Sequence, residues 1–322
     1  MNVLFAMLEL VYPPVSSYEA EWLKQDLEVQ ELLRSSDFYL IGARAEAKFT
    51  DVDCDAGYGI LTVGIDAGSG LHDDVNIDLG ALTRSRCVED FEDLTFDLGP
   101  KILKVYGGTG ADVDADSAEL LEWFTTEKLI HERGRFVPWL TGFSRFREFA
   151  TYDLQYVGIA TKTSTFDRLF EGSHHARQRI LSTEWVRRQG SRVTDETYLF
   201  SFRVAPTILR TLGDGKPPST ASGAAWEEQR VRVVKDAEKA FAHLLDPEYN
   251  TETYANYPRS TDGLFGDGFQ RYGFVLAENL TFQAPAGTFH GSRPSEFLTI
   301  DDHADMLIVE GDQVSVQRGV DR

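Results

Sequence analysis

The sequence has 322 residues, of which 42% are hydrophobic and 26% are charged, and its formal net charge is −20. The length predicts two or three domains at roughly 150 residues each, and the ordinary composition excludes collagen-like and wholly disordered chains. No run of 18 apolar residues exists, so we expect no membrane association. Cys54 and Cys87 are too few for a disulfide framework or a four-cysteine zinc site, which favours a cytoplasmic protein. The first residues lack the basic region of a signal peptide and predict a buried first element.

The negative charge is unevenly distributed along the chain. Residues 1–140 contain 11 Lys and Arg against 27 Asp and Glu, and residues 259–322 contain 5 against 10. Residues 141–258 contain 16 against 15, and arginines are frequent in their first half. Because a nucleic-acid surface must offer Lys and Arg to the phosphates, only this central segment is suited to such a partner.

The N-terminal segment, residues 1–140, predicts an acidic α+β domain. Apolar residues at helical spacing indicate a helix over 17–36. Alternating patterns bounded by Gly and Asp indicate strands over 57–66, 74–79 and 101–107. Residues 114–133 predict a helix that Asp116 or Ser117 would cap.

The pattern changes in the central segment, residues 141–258. It predicts two short strands over 146–160 with a turn near 150–153, then a helix over 166–184 that is interrupted at Gly172. A strand over 196–206, a Gly/Pro/Ser-rich connector over 211–224 and an amphipathic helix over 225–245 follow. Residues 259–322 predict a β-rich extension with a hairpin over 306–317 that turns at Gly311.

Four elements of the central segment could together act on a phosphodiester. Arg168 could stabilise negative charge with its planar set of donors, and Glu238 could hold one divalent cation. Tyr156 could position or activate a water molecule, and Gly158 could let the backbone approach a phosphate. Asn250 follows shortly after the helix that carries Glu238.

These residues stand in the strings YVGIATKTSTFDRL and AEKAFAHLLDPEYN, and in these strings the central segment resembles the GIY-YIG nucleases. The resemblance implies a small module with a three-stranded antiparallel sheet and flanking helices. It also implies hydrolysis of nucleic acid, DNA in particular, with one Mg²⁺ or Mn²⁺ on Glu238, in bacterial or phage defence. The site residues that it implies are Tyr156, Gly158, Lys162, Arg168, His174, His175, Glu238 and Asn250.

The first motif of that family, a Gly-Ile-Tyr about ten residues before Tyr156, has no counterpart at its expected position. The chain reads RFREF there, from Arg145 onward, and Tyr152 lies close by. The resemblance therefore leaves open which group activates the attacking water. His174 or His175 stands where several members carry a helix histidine.

Two other functions fit the same sequence. A catalytically silent module would bind nucleic acid without Mg²⁺, and an acidic factor that binds proteins or mimics nucleic acid would bind a basic partner through residues 1–140. Asp51, Asp53 and Asp55 are reminiscent of a calcium loop, but Thr62 stands where such a loop has its bidentate Glu. We therefore expect an acidic turn at this place.

Overall fold

The computed structural model describes residues 2–86, 93–108, 119–161, 163–172, 174–210, 224–294 and 299–320. Helices and strands occur together in two compact units, which confirms the predicted α+β class. The strands are β1 (Asn2–Leu10), β2 (Val15–Ser16), β3 (Phe38–Ala43), β4 (Lys48–Asp55), β5 (Ile60–Asp66), β6 (His72–Asp78), β7 (Asp93–Leu98), β8 (Leu103–Gly108), β9 (Glu119–Phe124), β10 (Leu140–Gly142), β11 (Thr151–Ile159), β12 (Thr197–Arg210), β13 (Arg271–Leu276), β14 (Thr281–Ala284), β15 (Gly287–His290), β16 (Met306–Glu310) and β17 (Gln313–Gln317). The helices are α1 (Ala20–Leu23), α2 (Leu27–Arg34), α3 (Leu79–Ser85), α4 (Thr126–Gly134), α5 (Phe146–Phe149), α6 (His175–Thr183), α7 (Val193–Glu196) and α8 (Ala224–Leu245), and a π-helical turn spans Asp167–Glu171.

The first unit, Met1–Arg44, Thr151–Val186 and Arg192–Arg322, is built on a ten-stranded sheet. Its strand order is β15-β14-β11-β3-β12-β1-β13-β16-β17, and β2 pairs with β12. The pairs β1–β13 and β11–β14 are parallel, and the other pairs are antiparallel. Helix α8 packs against β11 and β12, and the Phe241 ring meets that of Phe38 edge-on at 5.6 Å. This aromatic contact joins the helix to the centre of the sheet.

The second unit, Ala45–Ala150 with Arg187–Ser191, contains two smaller sheets. One has the order β10-β6-β5-β4 and the other the order β7-β8-β9. Residues 187–191 join this unit through polar contacts. Arg188 donates to the Asp66 carboxylate at 2.8 Å, and the Ser191 hydroxyl donates to the buried Glu46 carboxylate at 2.6 Å.

The two units do not follow the boundaries expected at residues 140 and 258. Strand β3 precedes residue 140 but pairs with β11 and β12, and β13 follows residue 258 but pairs with β1. Residues 141–150 belong to the second unit, where they form the end of β10 and helix α5. The C-terminal segment is β-rich as expected, yet its strands extend the same sheet on both sides, since β13 pairs with β1 and β14 pairs with β11.

The central segment was expected to form its own three-stranded antiparallel sheet, but its strands β11 and β12 pair instead with β3. These strands are three neighbours within the larger sheet and not a separate small sheet. The middle strand, β3, comes from residues 38–43 and not from residues just before Tyr156.

Most of the predicted strands and the long helix α8 lie near their expected positions, and the 306–317 hairpin is confirmed with Gly311 at φ +58°. The two short strands over 146–160 were wrong, because 146–149 form α5 and 151–159 form one strand. The helix over 114–133 was wrong in its first part, since residues 119–124 pair with β8 and Thr125 caps α4. Asp116 and Ser117 lie outside the described residues.

The helix expected over 17–36 divides into α1 and α2, because the Asp26 carboxylate accepts the backbone N–H groups of Glu28 and Val29 and starts a new helix. Within the described part of the chain, no helix has both the length and the apolar character needed to cross a membrane.

Candidate functional site

Two tyrosines lie side by side on one face of the paired strands β3 and β11. Tyr39 stands opposite Gly158 in the register, and Tyr156 is two residues before Gly158, so both side chains leave the sheet on the same face. Their rings are stacked with centroids 6.0 Å apart. Tyr39 is fully buried, whereas Tyr156 is half-buried and lines a cleft.

Gly158 makes this arrangement possible. A Cβ atom at residue 158 would lie 2.5 Å from the Tyr39 hydroxyl oxygen and 2.7 Å from the Tyr156 ring. Any larger residue would push the Tyr39 ring away from the sheet. Gly158 is buried beneath that ring, so in this structure the missing side chain admits a tyrosine and does not open the backbone to a phosphate.

Asn250 holds the strand that carries Tyr156. Its amide oxygen accepts from the Val157 N–H at 2.9 Å, and its amide nitrogen donates to the Val157 carbonyl at 2.9 Å. The Tyr249 N–H donates to the Gln155 carbonyl at 3.1 Å. These contacts satisfy the edge of β11 that β14 does not reach, because β14 pairs only with residues 151–153. The Asn250 amide thus contacts protein, where the resemblance implied substrate.

Arg168 projects from the π-helical turn between β11 and α6. Ser164 and Asp167 cap this turn by exchanging backbone and side-chain hydrogen bonds. The turn closes where the Gly172 N–H donates to the Asp167 carbonyl at 2.8 Å. Arg168 is exposed and its guanidinium carbon lies 5.9 Å from the Tyr39 ring centre. It makes no ion pair with any described residue, so its donors face the cleft without a carboxylate partner.

His174 connects α6 to Tyr39. Its Nδ1 accepts from the Arg177 N–H at 3.1 Å and so caps α6, while its Nε2 lies 2.9 Å from the Tyr39 hydroxyl. Because Nδ1 accepts, the neutral ring carries its proton on Nε2 and donates it to the Tyr39 oxygen. Burial lowers the pKa of His174 to about 4, and the Arg168 charge adds to that effect. Both nitrogens are engaged, so His174 is placed to hold Tyr39 and has no free lone pair for a proton.

His175 is exposed and lines the cleft, where it is the more accessible of the two histidines. Lys162, which the resemblance assigned to substrate binding, lies outside the described residues.

Glu238 reaches the same place from α8. Its carboxylate is half-buried and accepts a long hydrogen bond of 3.3 Å from the Tyr254 hydroxyl. Burial raises the pKa of Glu238, whereas the Tyr254 hydroxyl and the Arg168 charge lower it. Burial also raises the pKa of Tyr156, and the Glu238 charge raises it further while Arg168 opposes both. The charges of Glu238 and Arg168 thus act in opposite directions on the pKa of Tyr156.

The cleft has a volume of about 410 Å³ and is open to solvent. It is lined by Tyr156, Thr163, Asp167, Arg168, Gly172, His174, His175 and Ala176. Among the described residues, no three His, Cys, Asp or Glu side chains are grouped to hold a metal ion. The Asp167 carboxylate in this lining is already hydrogen-bonded to Ser164. Glu238, whose charge acts on Tyr156 and Arg168, is the carboxylate that could hold one divalent cation.

The sequence patterns did not reveal Tyr39 or Tyr254. Tyr39 stands 117 positions before Tyr156, since residues 45–150 are inserted between the two strands that pair. The string FYLIGA, an apolar strand with one tyrosine, is the signal that could have identified it. Arg145 lies in the second unit, and Tyr152 is buried in the core against Phe200 at 4.8 Å.

Comparisons with family models, with curated proteins and with solved structures found no match to this chain.

Proposed function

We propose that this chain is a GIY-YIG-like nuclease that hydrolyses phosphodiester bonds of nucleic acid, DNA in particular, with a divalent cation. The observation that carries the proposal is that Tyr156 and Arg168, from a strand and a turn, line one cleft and that the charge of Glu238, from a distant helix, acts on both of them. Each of these groups has a part in the chemistry of a phosphodiester.

Arg168 supplies the phosphate contact. Its planar donors can bind two oxygens of one phosphate, and they stabilise the charge that develops when water attacks phosphorus. The exposed position and the lack of an ion pair with described residues keep these donors available. In a chain of net charge −20, such a local cation decides where a polyanion can approach.

Tyr156 positions the attacking water. It is the tyrosine that reaches the cleft, and because its raised pKa keeps it protonated, its hydroxyl can orient the attacking water through a hydrogen bond. Tyr39 is a positioning residue, because its ring stacks on that of Tyr156. The His174 Nε2–H holds Tyr39 in place by a hydrogen bond to its hydroxyl oxygen. In this proposal Tyr39, which β3 supplies, takes the place of the tyrosine in the family's first motif.

Glu238 would hold the Mg²⁺ or Mn²⁺ ion. When bound, this ion would neutralise phosphate charge and stabilise the leaving oxygen. The Tyr254 hydroxyl orients the carboxylate from the other side.

The decisive experiment is a cleavage assay on single-stranded and duplex DNA and RNA with Mg²⁺ or Mn²⁺. Wild type should cleave, and Glu238→Gln should lower the rate by several orders of magnitude, because the amide keeps the shape but loses the charge that holds the cation. Glu228→Gln, an exposed acid on the same helix, is the matched control and should cleave like wild type.

Two results would overturn the proposal. Cleavage that is unaffected by Glu238→Gln would place the reaction elsewhere. A wild-type protein that binds nucleic acid with or without Mg²⁺ but cleaves none would establish the silent binding module in its place.

A further inference from the structure

Trp185 is the most exposed large apolar side chain among the described residues, with 87% of its surface accessible to water. Tryptophan is strongly buried on average, because its large ring gains much from leaving water. An indole that projects fully into solvent is therefore suited to a contact that forms only with a partner.

The backbone that carries Trp185 is firmly held. The neighbouring Glu184 donates its N–H to the Ile180 carbonyl at 2.9 Å, and its carboxylate accepts from the Tyr249 hydroxyl at 2.6 Å. The Thr183 and Tyr249 hydroxyls lie 2.9 Å apart. Because this segment is ordered before any partner arrives, contact with the indole costs little conformational entropy.

Trp185 and the cleft lie at opposite ends of α6. His174 caps the N-terminal end inside the cleft, and the nine residues of the helix span about 14 Å at 1.5 Å per residue. That distance corresponds to roughly four nucleotides of a strand whose bases stay stacked at about 3.4 Å each.

The exposed surface between these ends suits a polyanion. His175, Gln178, Arg179 and Ser182 are exposed at helical spacing, and residues 172–183 contain no Asp or Glu. Arg179 stacks on the Tyr249 ring at 5.2 Å and makes no ion pair with a described residue. In so acidic a chain, an exposed helix face without acids is complementary to phosphates.

We propose that the strand of a nucleic-acid substrate lies along this face of α6, from His175 past Arg179 to Trp185, and that the Trp185 indole stacks on an unpaired base about four nucleotides from the phosphate in the cleft. The inference rests on the proposed function and narrows its substrate to nucleic acid with unpaired bases beside the cleavage site. Aromatic side chains stack on any base, and arginines follow the backbone, as in single-strand binding surfaces.

The test uses full-length protein with Glu238→Gln, so that binding can be measured without cleavage. Affinities for a 20-nucleotide single strand and for a blunt duplex of the same length are compared by fluorescence anisotropy. Trp185→Ala should weaken single-strand binding about tenfold or more and leave duplex binding nearly unchanged, whereas Trp185→Phe should retain most of the affinity. Arg179→Ala should weaken binding of both, because it contacts phosphate.

Tyr58→Ala, at an equally exposed aromatic in the second unit, is the control and should bind both ligands like the parent. Unchanged single-strand affinity in Trp185→Ala overturns the inference even if wild type cleaves, and so leaves the proposed function intact. Equal losses on single strand and duplex also overturn it. If wild type binds no nucleic acid, the inference fails together with the proposed function.

Discussion

At the residue scale, His174 uses both ring nitrogens inside the protein. Nδ1 accepts the Arg177 N–H and Nε2–H donates to Tyr39, an arrangement that only the neutral ring can make. A protonated ring would lose the helix cap, and its charge would face the guanidinium groups of Arg168 and Arg177. The position of Tyr39 therefore depends on His174 being neutral.

This dependence predicts a loss of stability in acid. The folded pKa of His174 is about 4 and the unfolded value is about 6.5, so between these values the unfolded chain binds a proton that the folded chain does not. Stability must then fall as pH falls through this range. From pH 7.5 to pH 5 the contribution of His174 to the free energy of unfolding should drop by about 2 kcal/mol.

Urea unfolding at the two pH values measures this contribution. His174→Asn keeps a side-chain oxygen that can cap α6 but cannot titrate, so its stability should fall by about 2 kcal/mol less than that of wild type between pH 7.5 and pH 5. His175→Asn, at the exposed neighbour, should change with pH as wild type does. An identical pH dependence in wild type and His174→Asn would contradict the neutral, buried ring.

At the scale of elements, the edge of β11 is closed by a side chain where no strand reaches it. Strand β14 ends its pairing at Asp153, and Asn250 then takes both backbone groups of Val157. The side-chain amide replaces a neighbouring strand at Val157, because it offers one donor and one acceptor, as a backbone peptide group does.

We predict that Asn250→Ala destabilises the protein by about 2–3 kcal/mol, since two buried backbone groups lose their partners. Asn250→Asp should be intermediate, because it retains an acceptor for the Val157 N–H but sets a carboxylate against the Val157 carbonyl. The Val157 amide should exchange its hydrogen faster in both variants, as measured by native-state exchange.

Asn256→Ala is the control for Asn250, because Asn256 is exposed. It should leave both the stability and the Val157 exchange rate unchanged. Slow exchange at Val157 in Asn250→Ala would show that the strand edge is held by something other than this amide.

At the scale of the whole molecule, the sequence predicted those helices and strands whose residue pattern lies within one short stretch of the chain. Helix α8 and strand β12 were predicted because their periodicities are complete within about 20 residues. The resemblance in local strings predicted that Tyr156, Arg168 and Glu238 lie close together, and in the structure the charges of Arg168 and Glu238 both act on the Tyr156 hydroxyl.

Pairing between distant strands could not be predicted in this way. Tyr39 was not predicted as a site residue because residues 45–150 separate its strand from the strand with which it pairs. Local periodicity predicts a strand but not the strand with which it pairs. For the same reason Gly158 and Asn250 were assigned to the substrate. Only the folded structure shows that the Tyr39 ring covers Gly158 and that the Asn250 amide is hydrogen-bonded to the edge of β11.

The same pairing predicts that the first unit can fold without residues 45–150. Ala43 and Asp153 are partners across β3 and β11, so the chain leaves this unit and returns to it at neighbouring positions. Joining Arg44 to Thr151 through an Asn-Gly turn would convert the two strands into an ordinary hairpin.

The shortened chain should unfold cooperatively, as measured by circular dichroism during urea titration. Its free energy of unfolding should keep the contribution of His174 that changes between pH 7.5 and pH 5. Arg188 and Ser191 would lose their hydrogen-bond partners Asp66 and Glu46, so residues 187–191 would lose the contacts that hold them. The full-length chain, measured in parallel, is the control. An aggregated or non-cooperative product would mean that the ten-stranded sheet requires the inserted residues to form.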